Sequence, residues 1–73
     1  MALEDWKKAA CNVEAMSDGA VYIARQTIAA MVTRAQSESR ELIGFSDCRA
    51  QGHVLRGVAE RLEDRLLSVT RPR

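Results

Sequence analysis

Cys48 and His53 are the side chains of this sequence that come nearest to a nucleophile with its base, and Cys11 supplies a second thiol. A thiol reacts as its thiolate, which takes an electropositive setting and a base within hydrogen-bond reach. Five positions along a helix rotate a side chain by about 140°, so Cys48 and His53 would not share a face. Small buried thiols are therefore the expected state of both cysteines, and a partly exposed helix residue that of His53. A metal centre also lacks its ligands: there is no second histidine, and no carboxylate stands three or four positions from His53. The two cysteines have neither the density nor the paired spacing of a disulfide scaffold or zinc site, which fits a reducing compartment. Glu60, Glu63 and Asp64 have the composition of an acid–base or metal cluster, yet Arg56, Arg61 and Arg65 interleave with them, the pattern of a solvated charged face. No catalytic, cofactor-binding or metal-ligating set emerges. The sequence reads as a non-enzymatic protein without a cofactor.

Charge narrows the partners. Lys and Arg number 11 against 10 Asp and Glu, so no bulk positive charge is present to hold a phosphate backbone. Apart from His53, every basic residue after Lys8 is arginine, whose planar fork suits interface ion pairs and phosphate groups. From Phe45 onward six arginines face four acids. That excess permits contact with RNA or DNA, but acids interleave with it and the second helix holds no aromatics, so nucleic acid is not the favoured partner. No basic stretch leads into an apolar core with a small-residue cleavage site, and no uninterrupted run of about 18 apolar residues occurs, so neither export nor a membrane is expected.

The elements that must position these residues are helical. The only proline is Pro72, in the C-terminal tail. From Val21 the positions Val21, Ala24, Ile28, Met31, Ala35, Glu38 and Leu42 alternate steps of three and four, a helix seam with one polar member. Gly44 should stop that helix in the left-handed conformation, which glycine reaches without a steric penalty. Ser46 or Asp47 should start the next, its side-chain oxygen accepting a free backbone N–H. The second arm carries Leu55, Val58, Leu62, Leu66 and Val69 along one side with Val54 beside them. Gly52 and Gly57 each weaken that helix by roughly 1 kcal/mol against alanine, a cost that close approach of the first arm near the turn would explain. Upstream, Leu3, Trp6, Ala10 and Val13 keep helical spacing, and Glu4 precedes Lys8 by the four positions of a helical ion pair. Ser17-Asp18-Gly19 either breaks the chain there or is a tolerated interruption, and a break or kink near Ser17 is favoured. The expected elements are helices over 3–16, 20–43 and 47–68 in one domain spanning 1–69, with 70–73 a flexible tail.

The fold class is thus all-α: an antiparallel helical hairpin, with or without a separate N-terminal helix, packing in an oligomer or complex. Between Ala20 and Val32 the residues Ala20, Val21, Tyr22, Ile23, Ala24, Ile28, Ala29, Ala30, Met31 and Val32 are apolar or tyrosine and go most of the way round the helix. A helix that is apolar nearly all round is normally buried, and one hairpin partner covers only one side. A chain of 73 residues is also marginal alone, since a domain so small buries only roughly 60% of its unfolded surface. The second layer is expected from another copy of the chain, from a larger protein, or from the N-terminal segment folding back. The expected interface comprises Trp6, Val21, Tyr22, Ile23, Ile28, Met31, Val32, Leu55, Val58, Leu62 and Leu66.

The run Ser39-Arg40-Glu41-Leu42-Ile43-Gly44, the Ser46-Asp47 restart and Gln51-Gly52-His53-Val54-Leu55-Arg56-Gly57-Val58 with its closing amphipathic segment resembles small helical-hairpin proteins encoded among tailed-phage structural genes. In those proteins a Glu-Leu-Ile-type helix end is commonly followed by a short turn and a Gln-Gly-containing second helix. The likeness covers residues 38–67, while Trp6 and Ser17-Asp18-Gly19 fall outside it. It implies a non-enzymatic component of the virion or its assembly acting by helix packing in many copies, located in the host cytoplasm or the virion. Two other functions stay open. One is a small inhibitor or adaptor docking on a host protein through Trp6, Tyr22 and Met31. The other is an RNA-binding helical-hairpin dimer, similar in size and architecture to the plasmid copy-control type.

Overall fold

The computed structural model describes residues 2–70, in which every regular element is helical. These are α1 (Leu3–Ala15), α2 (Asp18–Ile23), α3 (Arg25–Ile43) and α4 (Arg49–Thr70), with a 3₁₀ turn at Ser46–Cys48 before α4. The antiparallel hairpin is formed by α3 and α4, and α1 returns to pack on α4.

In α1 the acidic Glu4 and Asp5 stand in the first turn, where the helix dipole favours them. Glu4 pairs with Lys7 at 3.5 Å, three positions on, and not with the expected Lys8. The helix stops at the Met16–Ser17 step, both residues being extended with ψ of 148° and 158°. Ser17 then caps α2: its Oγ accepts the Ala20 N–H at 3.2 Å. This is the break favoured from Ser17-Asp18-Gly19. A second break separates α2 from α3 at Ala24, with φ −91° and ψ 10°. The expected 20–43 helix is accordingly two helices, joined at Ala24.

The turn differs from expectation in two respects. Gly44 is right-handed, with φ −68° and ψ −15°, and its N–H shares the Arg40 and Glu41 carbonyls at 3.2 Å each. No left-handed residue is needed because Phe45, extended at φ −107° and ψ 124°, reverses the chain. Nor does Ser46 or Asp47 cap by its side chain. The restart is a 3₁₀ turn in which the Phe45 carbonyl takes the Cys48 N–H at 3.0 Å, so a backbone group satisfies the donor that a side chain was expected to meet. At the other end α4 extends through Thr70, whose hydroxyl donates to the Leu66 carbonyl at 2.9 Å. Thr70, expected in the tail, is thus helical, and the expected tail's remaining residues 71–73 lie outside the described residues.

Two contacts lock the hairpin near its turn. Gly52 is buried where a Cβ would stand 2.7 Å from both Cγ1 and the backbone N of Ile43, so the helices meet here only because the residue is glycine. The Ser39 hydroxyl, also buried, donates to the Gly52 carbonyl at 2.7 Å. Gly57 has nothing within 4 Å of where its Cβ would be, so the expected close approach belongs to Gly52 alone.

One core holds the helices together. Trp6, Val21, Ile28, Leu55 and Leu62 are its largest fully buried side chains, joined by Ala10, Val13, Val32, Ala35, Val58 and Ala59. The steps of four and three from Trp6 to Ala10 to Val13 put that stripe of α1 inside. The layer expected from an outside copy or partner thus comes, for Val21, Ile28 and Val32, from this chain's own helices.

Candidate interaction surface

Trp6 fixes α1 to α3. Its Nε1–H donates to Glu38 Oε2 at 2.6 Å, and the Arg34 guanidinium lies 5.8 Å from the ring centroid, within cation–π range. The indole hydrogen bond holds the Glu38 carboxyl below its ordinary range against the opposing effect of burial, and Arg34 adds to the lowering. Glu38 is the polar member of the α3 seam. Its place there is explained by an indole that needs an acceptor.

Arginines of α4 hold the other end of α1. Arg61 pairs with Glu14. Arg65 donates to the Met16 carbonyl at 2.6 Å and to Asp18 Oδ1 at 2.7 Å, clasping the corner between α1 and α2. Asp64 borders the shallow groove beside them. The face that reads as solvated charge is thus partly a clasp, because folding α1 back brings Glu14 and Asp18 to Arg61 and Arg65.

The cysteines also depart from expectation. Cys11 is exposed and Cys48 half-buried, both free thiols. Cys11 follows Ala10 by one position, about 100° round the helix from the buried stripe, and its Sγ accepts from Arg61 Nη2 at 3.8 Å. His53 is exposed. Among the described residues no group of three or more His, Cys, Asp or Glu is placed to hold a metal ion, and no helix is long and apolar enough to cross a membrane.

The eleven expected interface residues divide by burial. Trp6, Val21, Ile28, Val32, Leu55, Val58 and Leu62 are core, and Met31 and Leu66 are partly buried against it. Two remain on the surface: Tyr22 at 52% exposure and Ile23 at 83%. They are neighbours at the end of α2, where the Ala24 break turns Val21 inward and leaves the next two side chains outside. Arg25 stacks 4.4 Å over the Tyr22 ring and donates to the Tyr22 carbonyl at 2.8 Å, so the aromatic is held in place. Other exposed large apolar side chains are Phe45, Val54 and Leu67. Phe45 follows the helix stop at Gly44, and the extended backbone that reverses the chain there leaves its ring exposed.

Sequence reasoning also missed a groove of about 460 Å³ between α3 and α4. Its lining includes buried Ser39 and Ala59, with Arg40, Arg56, Glu60 and Glu63 around them. Only knowledge of which face α1 covers could have singled it out.

Compared with protein-family models, curated proteins and solved structures, the chain shows no match.

Proposed function

We propose that this is a non-enzymatic helical interaction protein that docks on a larger protein through the corner formed by Tyr22 and Ile23. The observation that carries this reading is Ile23, 83% exposed beside a tyrosine pinned by Arg25 after the rest of the chain has buried its own core. A preset aromatic and an aliphatic side chain on a short helix fit an apolar pocket at little cost in side-chain entropy. Trp6 is already consumed by the core, so the anchor is narrower than the expected set. The tailed-phage resemblance of residues 38–67 makes a virion or its assembly the setting we propose.

The test is affinity capture from extract of the native source by immobilised wild-type protein and by Ile23→Glu, with mass spectrometry of what is bound. One protein held at fixed stoichiometry by the wild type and lost with Ile23→Glu, at unchanged melting temperature, is the expected result. Equal capture by both proteins would sink the reading.

A further inference from the structure

The hairpin face turned away from α1 is open and self-complementary in charge. On α3 the side chains that meet α1 are Arg34 and Glu38, while Gln36 and Arg40 lie two positions further on, about 200° round the helix. On α4, Arg61 and Arg65 hold α1, and Glu63 stands about 200° from each. These outward positions line the 460 Å³ groove.

Charge is segregated along that groove. Arg40 and Arg56 stand at its turn end. Glu60 and Glu63 follow one and two helical turns along α4, about 6–10 Å away. Arg40 makes no ion pair or side-chain hydrogen bond among the described residues. The Arg56–Glu60 pair, at 3.7 Å, leaves both side chains about two-thirds exposed, with charge still open to a second partner. Ala59 and Ser39 at the base are small and buried, which lets another helix pair approach closely.

We propose that this face pairs with a second copy of the chain about a two-fold axis through the groove centre. The two-fold sets Arg40 and Arg56 of one protomer against Glu60 and Glu63 of the other, and the same contacts recur in reverse, as an isologous interface requires. The hairpins then form a four-helix layer with each α1 on the outside. A different protein would need its own matching dipole of charge, whereas this chain carries both halves in the required order. The pairing does not depend on docking at Tyr22 and Ile23.

The experiment is sedimentation equilibrium on four full-length proteins: wild type, Arg40→Glu, Glu63→Arg, and the double variant. Wild type should be a dimer whose dissociation constant rises with salt. Each single reversal places like charges together twice per dimer and should weaken association at least about tenfold, with the circular-dichroism melt at low concentration confirming a folded monomer. Mixing the two single variants should restore a dimer, because each then supplies the charge the other lacks, and the double variant should dimerise alone. A monomeric wild type would overturn the proposal and leave the groove to another partner. Single reversals that leave the dimer as tight, or a mixture and a double variant that fail to restore it, would also overturn it.

Discussion

Replacing Gly52 by alanine should loosen the hairpin, whereas the same replacement at Gly57 should tighten α4. At Gly52 the new methyl would sit 2.7 Å from Ile43 Cγ1, 2.7 Å from the Ile43 backbone N and 3.0 Å from Leu42 Cβ. A rotamer change of Ile43 relieves only the first of these, so the helices must separate. Overpacking of this kind costs about 1–3 kcal/mol. Separation also stretches the buried hydrogen bond from Ser39 to the Gly52 carbonyl, now 2.7 Å, at about 1 kcal/mol. Alanine returns about 1 kcal/mol of helix propensity, leaving a net loss of about 1–3 kcal/mol. At Gly57 the Cβ position is open, so the propensity gain of about 0.5–1 kcal/mol stands alone. For a domain of this size 1 kcal/mol moves Tm by about 4–8 °C. Thermal circular dichroism at matched, low protein concentration should therefore show Gly52→Ala melting about 5–20 °C lower and Gly57→Ala a few degrees higher. Equal stabilisation by both would refute the close contact of α3 and α4 at Gly52.

Further outcomes follow from the contacts of α1. Because folding lowers the Glu38 pKa, its stabilising effect is present above the ordinary value of 4.5 and is lost as pH falls through the lower folded value. Melts followed by Trp6 fluorescence should show stability falling below about pH 4.5, with a shallower fall in Glu38→Gln; identical pH profiles would remove the indole hydrogen bond as the cause. Arg65→Lys loses the simultaneous bonds to the Met16 carbonyl and Asp18. It should cost about 1–2 kcal/mol and speed proteolysis at the Met16–Ser17 step, and an unchanged cleavage rate would count against the clasp. Ser17→Ala should cost about 1 kcal/mol and raise amide exchange at Ala20, whose N–H the Ser17 hydroxyl accepts.

Much of the fold was legible locally. The seven-residue spacing of Val21, Ile28 and Ala35, and of Leu55 and Leu62, two helical turns each, marks helical faces that are buried. A serine followed by an aspartate and a glycine marked the real break before α2. Glycine between two apolar runs marked the reversal, although the dihedrals that perform it belong to Phe45. Competing local solutions explain the misses: a 3₁₀ turn can satisfy the same orphan N–H as a side-chain cap, and only the backbone geometry selects between them.

The candidate surface was much less legible. Periodicity assigns Trp6, Ile23, Val32 and Leu62 alike to apolar faces, but it cannot say which face meets another part of the same chain. That choice depends on where α1 lands, which involves contacts such as Trp6 with Glu38 and Arg65 with Met16, separated by 32 and 49 positions. Helix type, the chain reversal after Ile43 and the break near Ser17 follow from interactions within a few residues, so they can be read along the chain. The burial of Trp6, the exposure of Ile23 and the uncovered α3–α4 groove follow from how those helices pack in three dimensions, and only the assembled fold decides them.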